Sequence, residues 1–503
     1  MAFLLKMISD LQTLKIFFKE SVKTPIFGVG VYAFDRLGLE DVFQPYRMLA
    51  LRYSLDTELI EKEIELLSLE KGRGTRHIVK PRNSTTVLTH EKTIRFLRPF
   101  KNPLIIPYKA SSKMDAVCRE NGWILAAPPT KFGKGLFENK VKFRRILEEL
   151  RVPAPPGEIT NASDLDFELL KHKYGVPFVL QHPQRGGGKG TFFIHSLEEW
   201  EHALRKMKFK EAEGIQIKED ISRLEVIIAK YIKGPSPSIT GCVTRHGILS
   251  TSPQYQIIDA PELYNPTKGS GLFCGHDWSS ARFSQDVRDQ AYDAVQKVGV
   301  YFQKFGYKGI FGIDFIMDEK TQKLYVTECN PRLLGSFPTI TMLQVMNNEP
   351  PILAFHLLEY LGINYNIDIV SVNEKMRAEK FGSQMFVHNL TLKWAHSGAF
   401  VKPGVYKMSP KLEFLRDGYA MKHLKNKDEF LLTDGVLQKG AHYSPNRRLC
   451  RIITLRGVLS EDKKTLSPWA KNIAISVHNS FNLRPARLAR FIKFFNPNYL
   501  AKG

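Results

Sequence analysis

Gly312-Ile313-Asp314-Phe315-Ile316 and Leu324-Tyr325-Val326-Thr327-Glu328-Cys329-Asn330-Pro331-Arg332 are separated by a turn at Asp318-Glu319-Lys320-Thr321. Each segment is mostly apolar with one or two polar residues embedded, which predicts two strands joined by a turn over 309–330. Alternate side chains of a strand share a face, so Glu328, Asn330 and Arg332 point the same way. Asp314, on the paired strand, joins them. Two carboxylates and an amide oxygen are hard ligands suited to Mg²⁺, with Mn²⁺ as an alternative. Arg332 offers a planar fork for a phosphoryl or carboxylate group. The plainer reading is a surface hairpin with ordinary polar residues. Carboxylates set among Ile, Phe and Val are costly unless a cation compensates them, which favours the metal reading.

The next informative stretch lies upstream. Val176-Pro177-Phe178-Val179-Leu180-Gln181 has the pattern of a buried strand and leads into His182-Pro183-Gln184-Arg185-Gly186-Gly187-Gly188-Lys189-Gly190. Consecutive glycines let backbone N–H groups close on an anion without Cβ obstruction, and Arg185 and Lys189 add positive charge. The loop is either a phosphate cradle or a flexible turn between strands. It is not a Walker A loop, because Gly190 rather than Ser or Thr follows Lys189.

The flanking sequence reads as mixed α/β. Ile26 to Val31 is a short apolar run with glycines. Pro103 to Pro107, Ser112 to Asn121 with Gly122 as its stop, and Trp123 to Ala127 read as strand, helix and strand, a parallel βαβ unit. Thr57 to Leu69 has helical spacing. Gly28-Val29-Gly30 lacks the third glycine of a dinucleotide fingerprint. A helix over Asn139 to Leu150 exits into Val152-Pro153-Ala154-Pro155-Pro156. Residues 175–260 look strand-rich, 286–305 and 350–362 helical, 375–460 strand-like, and 467–495 helical.

The 503 residues have an ordinary globular composition, which excludes collagen-like, wholly disordered and disulfide-stapled classes. The formal charge of +22 invites a nucleic-acid or anionic-membrane reading. Residues 364–503, however, hold 24 Lys and Arg against 10 Asp and Glu, so most of the surplus is C-terminal. No nucleic-acid motif accompanies it. Arg484 to Phe495 has amphipathic spacing, with Leu488, Phe491, Ile492 and Phe495 on one face and Arg487, Arg490 and Lys493 on another. It is either a terminal helix docked on its own domain or a helix lying on anionic lipid, a membrane surface being the possible partner. Five cysteines without a CxxC pair, no evident signal peptide and no long apolar run predict a soluble cytoplasmic chain.

Taken together, these segments resemble the ATP-grasp superfamily of carboxylate–amine ligases over about residues 130–362. Asn139-Lys140 is similar to the family's first nucleotide-contacting lysine, and Arg185 to Gly190 to its phosphate-covering loop. Ile227-Ile228-Ala229-Lys230-Tyr231-Ile232-Lys233-Gly234 resembles the hinge whose backbone meets adenine, with Ile217 to Ile221 as a second candidate. Asp314 with Glu328 to Arg332 resembles the metal-binding strands. Two positions depart from the pattern. Gln181 stands where many members have a second lysine, and Ala229 where the hinge is usually acidic. Pro235-Ser236-Pro237-Ser238, Gln254-Tyr255-Gln256, Gly269 to Phe273 and Arg332 to Pro338 resemble a peptide and amino-acid ligase subgroup.

The resemblance implies an α+β ATP-grasp fold of two α+β lobes over 131–363. An α/β domain over 1–130 would precede it and a small basic β-rich domain over 364–503 follow it. It implies ATP bound by Lys140, Gln181, Arg185, Gly186, Gly187, Gly188, Lys230, Tyr231 and Ile232. Mg²⁺ would sit on Asp314, Glu328 and Asn330, with Arg332 and Lys189 as catalytic cations. The implied activity joins a small-molecule carboxylate, activated as an acyl phosphate, to an amine, with amino acids or peptides as substrates. It leaves the oligomeric state open, a dimer being compatible. The competing reading is a non-catalytic nucleotide-binding module with a basic polyanion- or membrane-binding C-terminal region.

Overall fold

The computed structural model describes residues 7–73, 83–185, 190–212, 215–218, 220–221, 223–266 and 271–486. Its first layer is a five-stranded parallel sheet. The strands are β1 (Ile26–Gly30), β2 (Tyr46–Ala50), β3 (Glu65–Ser68), β4 (Leu104–Ile106) and β5 (Ile124–Leu125), in the order β3-β2-β1-β4-β5. β1 and β4 are buried along their whole length, as parallel strands covered on both faces must be. Helix α1 (Leu11–Ser21) is capped by Asp10, whose carboxylate accepts from Thr13 N–H, and buries Leu11, Leu14, Phe17 and Phe18. Helix α2 (Ser112–Glu120) crosses from β4 to β5, completing the expected βαβ unit.

One sequence expectation in this layer needs correction. The helix foreseen over Thr57–Leu69 stops at Ile60, and Glu65–Ser68 becomes a strand paired with β2, Leu66 opposite Met48. A parallel sheet edge outbids the local helical spacing there. Gly28 and Gly30 lie inside β1 and not in a phosphate turn. A Cβ on Gly28 would fall 2.2 Å from the Tyr46 hydroxyl, so this glycine serves close packing.

Helix α3 (Lys140–Glu149) follows, its first turn capped by the Asn139 side chain, which accepts from Lys142 N–H. A small antiparallel sheet comes next: β6 (Gly157–Asn161), β7 (Phe178–Gln181), β8 (Thr191–Ile194) and β9 (Glu225–Lys230), ordered β6-β9-β7-β8. The chain then passes to a large antiparallel sheet. Its strands are β10 (Pro237–Thr244), β11 (Gln254–Ile258), β12 (Phe273–Asp277), β13 (Gly309–Met317), β14 (Leu324–Asn330), β15 (Ser383–His388), β16 (Gly404–Met408), β17 (Leu412–Arg416), β18 (Glu429–Thr433) and β19 (Arg448–Thr454). Their order is β14-β13-β10-β11-β12-β15-β19-β18-β16-β17, with Gly247–Ser250 added on β10. Helix α4 (Gln285–Lys304) covers one face with Val287, Ala291, Ala294, Val295, Val298 and Phe302, and α5 (Ile352–Leu361) is almost wholly buried.

Residues 383–454 continue the sheet that carries β13 and β14, through pairing of Gly275 with Met385 and of Asp277 with Ser383. The terminal helix α6 runs only from Pro468 to Ser480, and Leu483–Pro485 then pairs with Ala395–Ser397 as a strand. The helix foreseen from Arg484 to Phe495 therefore does not begin where the spacing suggested. Residues 487–495 lie outside the described residues. Among the described residues, no helix is long and apolar enough to cross a membrane. All five cysteines are buried and unpaired.

The small and large sheets meet at residues 231–236. Gly234 lies so close to the end of β13 that a Cβ there would fall 1.7 Å from the Met317 carbonyl oxygen. Met317 N–H donates to Pro235 O at 3.0 Å, Glu319 N–H to Lys233 O at 3.0 Å, and Lys233 pairs with Glu319. Gly234→Ala is therefore expected to cost at least about 2 kcal/mol in urea unfolding, because backbone has to move.

His356 ties the first layer to the large sheet. Its Nδ1 accepts from Ile310 N–H at 3.0 Å, which leaves the proton on Nε2, 3.0 Å from Ala126 O. Burial pushes its pKa down to about 4, against about 6.5 in an unfolded chain. A depressed histidine stabilises fully above the unfolded value and loses that stability as pH falls toward the folded one. The stability advantage of wild type over His356→Gln is thus expected to shrink by about 2 kcal/mol between pH 6.5 and 4.5, read by urea unfolding at each pH.

Candidate active site

β13 and β14 lie antiparallel, with Asp314 opposite Glu328 and Gly312 opposite Asn330. The foreseen pair of strands and its register bring the three expected oxygen ligands onto neighbouring rungs. Asp314 Oδ2 accepts from Asn330 Nδ2 at 2.9 Å, and Asp314 Oδ1 accepts from Gln256 Nε2 at 2.5 Å. Burial, then the Glu328 charge, pushes Asp314 up to about 7. Burial also works against ionisation of Glu328, but Lys140 beside it, helped by Arg332, holds this carboxyl below its usual range. The ion pair between Lys140 Nζ and Glu328 Oε2 is 2.7 Å long.

Facing carboxylates on paired strands repel each other. A divalent cation between them would relieve that repulsion, so the residues fit a hard metal ion. Among the described residues no group of three or more His, Cys, Asp and Glu side chains is placed to hold a metal. Two carboxylates and one amide leave coordination positions that phosphate oxygens would have to fill.

Arg332 is held on three sides. Its Nε donates to Glu138 Oε1 at 2.9 Å and its Nη2 to Asn330 Oδ1 at 2.6 Å, while Nη1 donates to the Tyr108 hydroxyl. Its guanidinium lies 4.9 Å from the Tyr108 ring centroid. Tyr108 leaves the C-terminal end of β4, so this arginine joins the first layer to the carboxylate cluster. Gln256, Glu138 and Tyr108 were not foreseen as site residues. Glu138 precedes Asn139-Lys140, and Tyr108 directly follows the Pro103–Pro107 strand. Only their positions beside those segments could have signalled them.

Lys140 also anchors the base of the glycine loop. Its N–H donates to Pro183 O at 2.9 Å and its Nζ to Arg185 O at 3.2 Å. His182 N–H donates to Gly190 O at 2.7 Å, pinching the two ends of the loop together. Gly186, Gly187, Gly188 and Lys189 lie outside the described residues. The Arg185 guanidinium donates to Lys206 O at 2.8 Å and Met207 O at 3.0 Å, at the end of a neighbouring helix. Gln181 ends β7, its amide donating to Thr191 Oγ1 at 3.3 Å.

Lys230, Tyr231 and Ile232 stand where β9 leaves the small sheet. Lys230 N–H is taken by Pro156 O at 2.8 Å. Lys230 and Tyr231 are exposed and Ile232 is buried. The Tyr231 ring packs edge-on against Phe193 at 5.7 Å, giving an aromatic wall beside the crossover. Ala229 is buried in β9. Its methyl offers no carboxylate to an adenine amino group.

The family model described as ATP-grasp domain matches residues 137–336. A carbamoyl-phosphate synthase of Methanobrevibacter smithii is 30% identical over 210 residues, covering 40% of this chain and 47% of its own. The biotin carboxylase of Campylobacter jejuni, solved with a β,γ-ATP compound, superposes with a TM-score of 0.56 at 14% identity, covering 95% of this chain and 99% of its own. The biotin carboxylase domain dimer of Hydrogenobacter thermophilus 2-oxoglutarate carboxylase, solved with MgADP, ADP and bicarbonate, superposes with a TM-score of 0.53 at 15% identity, covering 86% of each chain. The chain spans less than half the length of the curated relatives it matches.

Proposed function

We propose that the protein is an ATP- and Mg²⁺-dependent ligase that activates a carboxylate and joins it to an amine, a reading supported by the match of residues 137–336 to the ATP-grasp domain family. The observation that carries this reading is the Asp314–Glu328–Asn330 cluster with Lys140 and Arg332 at its two ends. Mg²⁺ held by those three side chains would supply charge neutralisation to the β- and γ-phosphates. Lys140, already beside Glu328 and the loop base, would carry phosphate on one side. Tyr231 and Phe193 would receive the base at the crossover.

A carboxylate oxygen attacks the γ-phosphorus, the bond to the β–γ bridging oxygen breaks, and ADP leaves with the electron pair. The amine nitrogen then attacks the acyl carbon, phosphate departs, and the nitrogen gives up a proton. Phosphoryl transfer asks mainly for alignment and charge stabilisation. Arg332 is suited to both steps, since Glu138, Asn330 and Tyr108 fix its fork before any substrate arrives.

For the carboxylate, bicarbonate is favoured over the amino acids and peptides that the short subgroup segments suggested. A fold neighbour was solved with MgADP and bicarbonate, and curated relatives are carbamoyl-phosphate synthases and a carboxylase subunit. Gln181 and Ala229 support a second reading, a nucleotide-binding module without turnover. An ADP-release assay over bicarbonate, amino acids and dipeptides separates the two. The ligase releases ADP only with Mg²⁺ and a carboxylate, whereas the module binds nucleotide and releases none.

A further inference from the structure

Behind the large sheet lies a cavity. Ser238 and Gly241 stand three residues apart in β10 and so face opposite ways. Ser238 pairs with Asp314, whereas a Cβ on Gly241 would fall 2.9 Å from Val295 Cγ1 of α4. Helix α4 therefore covers the face turned away from the carboxylate cluster. The strand Gly247–Ser250 and the helix Ile369–Arg377 complete the walls. Together the three elements enclose about 440 Å³. Pockets for small ligands run from roughly 300 to 1,000 Å³.

The walls are held by side chains of the helix. Asn373 Oδ1 accepts from Ser250 N–H at 2.9 Å and Asn373 Nδ2 donates to Ile248 O at 3.0 Å, so this amide pairs with the strand edge as another strand would. Lys375 Nζ donates to Ser9 O at 2.8 Å. Gly247 is required at the junction. Its φ is +128°, and a Cβ there would fall 2.6 Å from Ile369 Cδ1.

Arg377 is the cation of this cavity. Its Nε donates to Ser250 Oγ at 2.9 Å, and its guanidinium carbon lies 4.2 Å from the Tyr292 ring centroid, which fixes the plane of the fork. Among the described residues no carboxylate pairs with it, and its two terminal nitrogens have no hydrogen-bond acceptor. Burial lowers its pKa, against a smaller opposing pull from Tyr292 and Asp289. The lining beside it is apolar: Ile248 is buried, Ile369 half-buried, and Val370 is 64% exposed. Glu374 lies one turn before Arg377, exposed on the rim and, among the described residues, without an ion-pair partner. Opposite charges three residues apart on a helix ordinarily meet. Here Tyr292 and Ser250 hold the guanidinium instead.

We propose that this cavity is a binding site for a small amphipathic monocarboxylate, separate from the reaction centre. The carboxylate takes the two terminal nitrogens of Arg377 side by side, and the apolar body covers Ile248, Ile369 and Val370. Glu374 repels a second negative charge, which sets a monocarboxylate apart from a phosphate dianion or a nucleotide. The site does not depend on the ligase reading, whose failure would appear separately as absent ADP release.

The test is a fluorescence titration of the full chain with 1-naphthylacetate at pH 8 and constant ionic strength, with MgADP present to fill the nucleotide site. The expected result is one probe bound per wild-type chain, with a Kd of about 1 mM or tighter. Arg377→Met keeps the stem and removes the fork, and Val370→Asp adds a negative charge to an exposed position. Each should weaken binding about tenfold or more. The neutral 2-(1-naphthyl)ethanol and the dianion 1-naphthyl phosphate should also bind more weakly than 1-naphthylacetate. No saturable binding to wild type, binding of wild-type strength to folded Arg377→Met or to Val370→Asp, or tighter binding of the phosphate overturns the proposal. Val370 is exposed, so its variant keeps the test decisive if Arg377→Met does not fold.

Discussion

Glu328→Gln is expected to lower carboxylate-dependent ADP release by roughly 10²–10³-fold while the chain still unfolds cooperatively. The substitution keeps the side-chain volume and leaves an oxygen for Lys140, whose Nζ lies 2.7 Å from Glu328 Oε2. What it removes is one of the two negative charges available to a divalent cation. With Asp314 pushed up to about 7, Glu328 is the carboxylate of the pair that stays ionised through the neutral range. Losing it therefore removes most of the site's charge. Glu328→Ala is expected to be as inactive but less stable, since Lys140 is buried and would lose its counter-charge. An active Glu328→Gln enzyme would remove the metal role from this strand.

Arg332→Lys is the second large expected effect, a loss of about 10²-fold in ADP release with little loss of nucleotide affinity. Lysine keeps the charge. It cannot serve Glu138, Asn330 and Tyr108 together, because its ammonium is a point and not a planar fork. The comparison of kcat with KM for ATP is the informative readout. If Arg332 only braced β4 against β14, Arg332→Lys would lower the melting temperature and leave kcat in place. If it stabilises the transferring phosphoryl group, kcat falls and KM for ATP stays.

The parts of the site that were legible in the sequence are those built within one hairpin. Asp314, Glu328, Asn330 and Arg332 lie within nineteen positions, so period-two alternation and one turn are enough to bring them together. Lys140 was reached only through the family resemblance of Asn139-Lys140, at a helix start that the asparagine caps. Gln256 was not, because its approach to Asp314 depends on β11 sitting one strand from β13 across β10, a pairing with no local signature. Tyr108 and Glu138 needed the packing of the first layer on the large sheet. The continuation of that sheet into residues 383–454 was hidden for the same reason. β12 meets β15 across more than one hundred residues, while the turns in between look like those of a separate β-rich unit. The strand at Glu65–Ser68 was lost to its own helical spacing, which a parallel neighbour overrode.

The C-terminal charge also changes meaning with the fold. Arg447, Arg448 and Arg451 belong to that basic region in sequence, yet in space they face Tyr32, Asp35 and Phe34 of the first layer. Part of the surplus that first suggested a polyanion partner is thus turned inward against the first layer.

Activation of a carboxylate by ATP carries one of the carboxylate's oxygens into the released phosphate, which labelled oxygen follows. Wild-type protein, MgATP and ¹⁸O-labelled carboxylates are incubated, bicarbonate first, then amino acids and dipeptides, and the released phosphate is analysed by mass spectrometry. Equal ADP and phosphate are expected, dependent on Mg²⁺ and on a carboxylate, with one ¹⁸O from that carboxylate in each phosphate. Nucleotide binding with no turnover for any carboxylate, or phosphate carrying oxygen from water alone, would contradict it.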